Sequence, residues 1–125
     1  MKESECLFCR LKSDKTIILK QNSLFYSIYD INPTNLGHCL IIAKRHVISF
    51  FDLSGEEINN LYELIKELKK TMDQQFSPQG YNIGVNEGKV AGRTVDHLII
   101  HFIPRYNGDV INPAGGMRNI LKYKG

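Results

Sequence analysis

The segment Thr94–Arg105 reads TVDHLIIHFIPR and places His97 and His101 four residues apart in an apolar, β-branched run. Successive side chains of a strand point to opposite faces, so the two histidines share one face with Ile99 between them. The other face is an unbroken apolar set that suits a core beneath a helix: Leu98, Ile100 and Phe102. A helix would also align residues four apart, but the β-branched content and the following proline make it the poorer choice. The segment therefore predicts a strand over residues 94–103.

The rest of the chain predicts a sheet with one main helix. Alternating or β-branched runs predict further strands over 16–20, 24–29, 38–43 and 81–85. The first two are joined by a predicted turn at Gln21–Asn22. Ser54 and Glu57 form a capping box, and an apolar stripe follows at helical spacing: Ile58, Leu61, Ile65, Leu68 and Met72. These elements predict an α+β fold, an antiparallel sheet with one main α-helix, in a single domain over residues 1–125.

The composition argues against several classes of protein. Of the 125 residues, 42% are hydrophobic and 23% are charged, which is typical of a globular domain. The sequence has no apolar run of about 18 residues or more and no secretory leader, so we expect a cytoplasmic protein without membrane contact. Lysine and arginine are scattered and the net charge is +3, so we expect no nucleic-acid partner.

The three cysteines have different contexts. Cys6 and Cys9 form a C-x-x-C pair, a spacing that indicates metal or redox chemistry in a cytosolic chain. Cys39 lies in the apolar run CLIIA and is expected to be a buried small hydrophobe. An odd number of cysteines without a leader argues against a disulfide scaffold. The C-x-x-C pair alone leaves a metal site, a redox pair and an incidental pair open.

The four histidines could each be a hydrogen-bonded, partly buried residue without further function. Their positions favour a shared function, because all lie beside predicted strand ends or glycine-bearing loops: His38, His46, His97 and His101. Tetrahedral zinc sites can combine a local C-x-x-C pair with two histidines from elsewhere in the chain. A zinc ribbon would need a second C-x-x-C, which the sequence lacks.

Motifs along almost the whole chain resemble those of the histidine triad (HIT) superfamily, in its bacterial or archaeal branch. They are CLFC at 6–9, DINP at 30–33, GHCLIIAKRH at 37–46, NEG at 86–88, AGRTVDH at 91–97 and HFIPRYNGDV at 101–110. The resemblance implies a HIT-like fold, a homodimer, and a nucleotide hydrolase or nucleotidyl transferase acting on phosphoanhydride or phosphoramidate bonds. The implied ligands are purine nucleotides such as AMP or GMP, and dinucleoside polyphosphates.

This chain departs from the family motif, which alternates three histidines with apolar residues. Aligned to the motif, His97 is the first histidine, His101 is the third, and Ile99 stands at the centre. In the family the central histidine attacks the α-phosphorus and forms a covalent nucleotidyl intermediate that water then cleaves. Isoleucine has no lone pair to donate, so that pathway cannot run here.

The resemblance also implies a structural zinc ion. In zinc-bearing relatives, the histidine of the K-R-H triplet and the first triad histidine complete the C-x-x-C pair. The implied ligands are Cys6, Cys9, His46 and His97. Four protein ligands close the coordination shell, so the ion would pin the N-terminus to the sheet. A redox or incidental cysteine pair and a metal-free form stay open as alternatives.

The resemblance implies that the Asp30 carboxylate binds the ribose, since a carboxylate accepts two hydrogen bonds from a vicinal diol. Phosphate contacts are implied for Asn86, Thr94 and His101. The apolar neighbours of the base would be Phe8, Leu24 and Ile31. Taken alone, Asp30 is as readily a turn residue before Asn-Pro, and the apolar residues are as readily core.

Two further residues near these motifs are charged or titratable. Arg93 stands where many relatives carry glutamine, and a cation there suits a phosphate or a leaving group; a solvent-facing loop arginine is the alternative. The resemblance implies that His38, with His101, belongs to the catalytic cluster and helps to hold the nucleophile, which Ile99 replaces. The segment NPAGGMR at 112–118 resembles the family's C-terminal loop, which borders the pocket or the dimer partner.

These features favour a nucleotide-binding HIT protein whose catalysis is weakened or lost, because losing a covalent nucleophile costs several orders of magnitude in rate. One alternative is an active hydrolase in which water attacks directly, with His101 as acid or base. Another is a zinc-stabilised scaffold with a vestigial pocket. Retention of Asp30, Asn86 and Thr94 argues mildly against the scaffold.

Overall fold

Five antiparallel strands form one sheet in the computed structural model, which describes residues 6–121. The strands are β1 (Lys20–Gln21), β2 (Phe25–Tyr29), β3 (Cys39–Ala43), β4 (Gly80–Gly84) and β5 (Ile99–Arg105). The helices are α1 (Leu7–Leu11) and α2 (Gly55–Phe76), with 3-10 segments at Phe50–Asp52, Lys89–Ala91 and Pro113–Ile120. The predicted α+β class, an antiparallel sheet with one main helix, is confirmed. The ends of the predicted domain, residues 1–5 and 122–125, lie outside the described part of the chain.

β5 lies inside the sheet, whose strand order is β1-β2-β3-β5-β4. Its residues alternate between half-buried and buried along the whole strand. The predicted core face is confirmed, because Leu98, Ile100 and Phe102 are buried in the cluster that also contains the apolar stripe of α2. Ile99 and His101 lie on the opposite face, and the candidate site is built on that face.

The predicted start of this strand is wrong. β5 begins at Ile99 rather than at residue 94, so His97 precedes the strand. The chain is nevertheless held against the sheet there, because the backbone N–H of Leu98 donates to the carbonyl of Val47 at 2.7 Å. His97 is therefore fixed in position although it is not part of the ladder.

The predicted end of the strand is also wrong, since β5 continues through Pro104 to Arg105. A proline is accepted at this position because the pairing of β5 with β3 ends at Phe102. Beyond that point no β3 carbonyl requires the N–H that proline lacks. The carbonyl of Pro104 instead accepts a hydrogen bond from the Asn35 side chain at 3.1 Å.

β1 is much shorter than the predicted run 16–20 because a turn occupies its first part. The Asp14 carboxylate accepts the backbone N–H of Thr16 at 3.0 Å and so holds the chain in this turn. The predicted turn after β1 is found at Asn22, whose side chain accepts the N–H of Phe25 at 2.9 Å. β2 and β3 each begin one residue later than predicted.

α2 begins at the predicted capping box, in which the Ser54 hydroxyl accepts the N–H of Glu57 at 3.1 Å. The predicted buried stripe is confirmed at Leu61, Leu68 and Met72. It is wrong at Ile58, which is 40% exposed, and Leu64 is buried instead. The stripe shifts because Glu57 takes the buried position in the first turn, where it pairs with Arg45 at 2.8 Å. No helix in residues 6–121 is long and apolar enough to cross a membrane.

β4 is an edge strand that pairs only with β5 among the described strands. The half-buried face predicted over 81–85 is confirmed for Tyr81 and Val85, which pack against the core. Val85 lies beyond the end of the strand, and Ile83 is 49% exposed. The outer side of this edge therefore presents backbone groups and an apolar side chain to the surroundings.

Candidate functional site

The four histidines divide into two clusters at opposite ends of the β3–β5 pair. One cluster comprises Cys6, Cys9, His46 and His97, and the other comprises Asp30, His38 and His101. Within each cluster the possible ligand atoms lie within 4.8 Å of one another. Because β3 and β5 are antiparallel, the segment after β3 meets the segment before β5, which brings the first cluster together. The second cluster forms where β3 begins.

The cysteine–histidine cluster is compact, and three of its four residues are buried. The sulfur of Cys6 lies 3.2 Å from Nδ1 of His97, and the sulfur of Cys9 lies 3.2 Å from Nδ1 of His46. Nε2 of His97 donates its hydrogen to the carbonyl of Ala43 at 2.7 Å. In the neutral ring this places the lone pair on Nδ1, which faces the thiols.

This donor set fits a tetrahedral zinc ion, which the resemblance implies. Zinc–sulfur and zinc–nitrogen bonds of ordinary length would place the ligand atoms about 3.6 Å apart. Three sulfur–nitrogen distances in the cluster are 3.2, 3.2 and 3.4 Å, a few tenths of an ångström shorter than this. The hydrogen bond from His97 to a backbone carbonyl is the usual support of a zinc-binding imidazole, since it fixes the tautomer and the ring orientation. The structure thus brings together all four implied ligands.

The second cluster is an ordered hydrogen-bond chain. The backbone N–H of Thr34 donates to Nδ1 of His38 at 3.1 Å, and Nε2 of His38 lies 3.0 Å from Nδ1 of His101. A neutral imidazole has one proton, so His38 carries it on Nε2 and donates it to His101. His101 then carries its own proton on Nε2. A metal ion is disfavoured here, because His38 would have to give up the proton that the backbone donor places on Nε2.

Burial favours the neutral form of both imidazole rings in this cluster. It lowers the pKa of His38 and of His101 below the ordinary value of 6.5, while the nearby Asp30 charge acts in the opposite direction. Asp30 has two functions in the fold, since one carboxylate oxygen accepts the N–H of Asn32 at 3.0 Å and the other lies 3.7 Å from His38. Asp30 therefore does act as a turn residue, which was the alternative to ribose binding. The turn uses only one carboxylate oxygen, so it is compatible with a ligand contact.

A small cavity of about 50 Å³ brings together the residues whose phosphate contacts the resemblance implies. Its lining includes Asn86, Arg93, Thr94, Ile99 and His101. Ile99 also packs against a buried apolar cluster of β2 and β3. A hydrocarbon side chain thus occupies the position in the wall where the family motif has a histidine.

A large cavity of about 630 Å³ lies on the other side of this apolar cluster, between α1 and the loop after β2. Its lining is almost entirely apolar and includes Phe8, Leu11, Ile28, Asp30, Ile31 and Leu40. Two of the three residues that were expected to contact the base, Phe8 and Ile31, line this cavity. The expectation for Leu24 is wrong, because this residue packs against the core beneath α2.

Several features of the site could not be predicted from the sequence. α1 has five residues, too few for a helical periodicity, yet it supplies one wall of the large cavity. Thr34 orients His38 through its backbone N–H, which any residue except proline would offer. The segment 112–118 was expected to border the pocket, and Gly116 and Met117 do line a cleft of about 480 Å³ together with His38 and His101.

Known proteins resemble this chain in sequence and in structure. A family model described as the HIT domain matches residues 10–108. An uncharacterised HIT-like protein of Methanocaldococcus jannaschii is 36% identical over 108 residues, which cover 83% of this chain and 81% of that protein. Adenosine 5'-monophosphoramidase of Schizosaccharomyces pombe is 35% identical over 104 residues, covering 82% and 75%.

A solved structure agrees with these matches. The crystal structure of a Zn-bound histidine triad family protein from Mycobacterium smegmatis has a TM-score of 0.77 to this fold at 29% identity. The match covers 89% of this chain and 82% of that one. The family model and the relative with 36% identity each span most of the chain. This chain therefore belongs to the histidine triad (HIT) family.

Proposed function

We propose that this protein binds purine nucleotides and that the hydrolase or nucleotidyl-transferase chemistry of its family is weakened or lost in it. The observation that carries the proposal is Ile99, which lines the small cavity beside His101 at the position of the family's nucleophile. A hydrocarbon side chain offers no lone pair to phosphorus, so no covalent nucleotidyl intermediate forms there.

The two cavities would orient a nucleotide, with its base in the large cavity and its phosphate in the small one. The apolar walls of the large cavity suit a purine ring, and Asp30 at its edge would accept hydrogen bonds from the ribose hydroxyls. The small cavity would then hold phosphate, and its donors are Asn86, Arg93, Thr94 and His101. AMP, GMP and dinucleoside polyphosphates share this arrangement of base, ribose and phosphate. The similarity to an adenosine 5'-monophosphoramidase supports an adenosine nucleotide.

The positions of the protons in the second cluster disfavour hydrolysis by direct attack of water, and they are compatible with nucleotide binding. A general base needs a lone pair that faces the water. Nδ1 of His101 accepts from His38, so the proton of the neutral His101 ring is on Nε2, and His101 lines the small cavity. His101 is therefore a hydrogen-bond donor to a phosphate oxygen, and the active-hydrolase alternative lacks a base at this position.

The proposal includes a structural zinc ion. Its ligands would be Cys6, Cys9, His46 and His97, and the donor set and the Zn-bound relative from Mycobacterium smegmatis support this assignment. The ion would tie α1 to the chain segments that follow β3 and precede β5. A homodimer, a cytoplasmic location and a single domain over residues 1–125 complete the proposal.

The experiment that tests the proposal compares the unmodified protein with Ile99→His. AMP binding is measured by calorimetry, and turnover is measured with an adenosine phosphoramidate. We expect both proteins to bind AMP, and we expect the variant to turn over the substrate at least about a thousandfold faster, because it regains the nucleophile.

The matched control is Ile103→His, which places an imidazole on the same face of β5 but beyond His101. It should bind AMP without gaining turnover. Appreciable turnover by the unmodified chain would contradict the loss of catalysis. Failure of the unmodified protein and of Ile99→His to bind AMP would favour the scaffold instead.

A further inference from the structure

The loop between β2 and β3 determines which nitrogen of His38 carries the proton. The backbone N–H of His38 donates to the carbonyl of Asn35 at 3.1 Å, which closes a turn. The backbone N–H of Thr34 donates to Nδ1 of the His38 ring, and the Thr34 hydroxyl lies 3.2 Å from the same nitrogen. The position of the Thr34 backbone therefore decides whether Nδ1 accepts a hydrogen bond.

The histidine pair has two conceivable arrangements of its protons. In the structure Nδ1 of His38 accepts from the Thr34 N–H, so Nε2 of His38 donates to His101. Without that N–H, Nδ1 of His38 would be able to carry the proton and donate it to the Thr34 hydroxyl, which can also accept. His101 would then donate from Nδ1, and its Nε2 would have a lone pair instead of a proton. The Thr34 N–H thus selects a donor over an acceptor at Nε2 of His101.

The turn after β5 ties this loop to the sheet, and the Asp109 carboxylate is its centre. One carboxylate oxygen accepts the side-chain amide of Asn35 at 2.8 Å and the backbone N–H of Tyr106 at 3.0 Å. The Tyr106 hydroxyl in turn donates to the carbonyl of Leu36 at 2.7 Å. Asp109 therefore holds two adjacent residues of the loop, Asn35 directly and Leu36 through Tyr106.

Asp109 is itself fixed by Arg105 at the end of β5. Nε and Nη2 of Arg105 donate to the two carboxylate oxygens at 2.8 Å each, a bidentate pair that sets the orientation of the carboxylate. These hydrogen bonds hold the pKa of Asp109 well below its ordinary value, so the carboxylate stays charged at neutral pH. Among the described residues, Asp109 is not part of the lining of the small or the large cavity. Its contacts serve the loop.

We propose that Asp109 is a positioning residue that decides where the proton of His101 lies. By holding the loop, it keeps the Thr34 N–H on the His38 ring, which leaves Nε2 of His101 as a hydrogen-bond donor. The consequence for affinity rests on the proposed nucleotide-binding function, since a donor at His101 favours an anionic phosphate. The position of the proton does not rest on that function and is measurable without a ligand.

The direct test is ¹⁵N NMR of protein labelled at histidine, because protonated and unprotonated ring nitrogens differ strongly in chemical shift. Near pH 7.5 the lowered pKa values of His38 and His101 favour neutral rings. We expect Nδ1 of both rings to be unprotonated in the unmodified protein. Asp109→Ala should lower the ratio of this arrangement to the reverse one about fivefold, as the loss of one hydrogen bond would give. Asp30, 3.7 Å from Nε2 of His38, remains and also favours a proton there, so the shift stays partial.

Asn35→Ala is the milder variant, because it removes only the direct tie and leaves Asp109 paired with Arg105. It should shift the protons in the same direction by about twofold, and it decides the test if Asp109→Ala does not fold. AMP affinity, measured by calorimetry, should fall about fivefold in Asp109→Ala, since the donor at His101 is partly lost.

The matched control is Asp73→Ala. Asp73 also accepts two side-chain hydrogen bonds, from Lys69 and from the Tyr81 hydroxyl, but both partners lie outside the loop. This variant should leave the histidine protons unchanged and should alter AMP affinity about twofold or less.

Unchanged histidine protons in Asn35→Ala and Asp109→Ala would overturn the inference. An equal shift in Asp73→Ala would also overturn it, because it would indicate a general loosening of the fold. Shifted protons with unchanged AMP affinity would refute the donor role of His101 in binding. Failure of the unmodified protein to bind AMP would remove the proposed function, whereas the NMR result would still decide what Asp109 does.

Discussion

His97 and His101 lie four residues apart on one side of the chain, but they belong to clusters with different chemistry. His101 is part of the ladder of β5 and faces His38, whereas His97 precedes the strand and turns towards Cys6. Ile99 lies between them and packs on the apolar cluster that separates the two cavities. A single branched side chain thus replaces the reactive group and also completes an apolar surface, which supports a site that binds without reacting.

The second cluster predicts how stability depends on pH. The pKa values of His38 and His101 are lower in the folded protein than the ordinary value of 6.5, mainly because the rings are buried. The unfolded chain therefore binds more protons as the pH falls below 6.5. We expect the contribution of these histidines to be complete above pH 6.5 and to be lost as the pH falls towards their lowered pKa values. Urea unfolding between pH 5 and pH 7.5 measures this contribution as a change in the free energy of unfolding.

The variant His38→Gln separates this effect from the other titrating groups. It removes one of the two shifted histidines and leaves the cysteine–histidine cluster unchanged, so the effects of that cluster cancel in the comparison. We expect the free energy of unfolding of the variant to depend less steeply on pH in this range. Equal slopes for the two proteins would show that His38 is not a group with a lowered pKa.

At the scale of elements, α1 joins the two functional parts of the molecule. Cys6 lies at the N-cap position of α1 without a side-chain capping hydrogen bond, and Cys9 lies within the helix. Both belong to the cysteine–histidine cluster. Phe8 and Leu11 of the same helix line the large cavity. Five residues are too few for a helix to be stable without support. The cluster and the hydrogen bond from the Tyr26 hydroxyl to the carbonyl of Phe8 supply that support.

Loss of the proposed zinc ion should therefore weaken the binding of the base more than the binding of the phosphate. We expect a zinc chelator to reduce AMP affinity at least about tenfold, because apolar contacts with Phe8 and Leu11 are lost. Affinity for ribose 5-phosphate, which lacks the base, should change about twofold or less. Calorimetry with both ligands, before and after chelation, measures the difference, and Cys9→Ser should reproduce the effect without a chelator.

The chain contains a matched control for this experiment. Cys39 is fully buried, but its sulfur contacts the carbonyl of Gly37 and lies outside the cluster. Cys39→Ser is therefore expected to respond to the chelator as the unmodified protein does. If chelation leaves AMP affinity unchanged in the unmodified protein, α1 is held in place by its own packing, and the coupling of the metal to the base cavity does not exist.

At the scale of the whole molecule, periodicity predicted the elements, but tertiary contacts decided where they begin and end. The capping box at Ser54 and the alternation of β5 are local patterns, and both are confirmed. Pro104 is accepted in a strand only because β3 no longer pairs beside it, which no local pattern contains. Similarly, the burial of Glu57 depends on Arg45, twelve residues away.

The candidate site was predictable to the extent that its residues occur in recognisable motifs. The four implied zinc ligands meet in the structure, as do the implied phosphate contacts around Ile99. The tautomers of His38 and His101 were not predictable, because they depend on the backbone N–H of Thr34.

The edge of the sheet leads to a prediction about assembly. β4 has an open outer edge, and apolar side chains beside it are exposed: Ile83 by 49%, Val110 by 47% and Ile111 fully. Val110 and Ile111 line the same cleft as the first residues of β4. An open edge flanked by apolar side chains is a surface that a second strand can pair with. We therefore expect the proposed homodimer to form at this edge.

Light scattering should give a mass about twice the 14.3 kDa of one chain. Ile83→Lys places a charge in the expected interface and should weaken dimerisation at least about tenfold, because a desolvated charge replaces an apolar contact. Val90→Lys is the matched control, since Val90 is also exposed but lies on the loop before Arg93. A monomeric unmodified protein would contradict the dimer, and an unchanged dimer in Ile83→Lys would place the interface elsewhere.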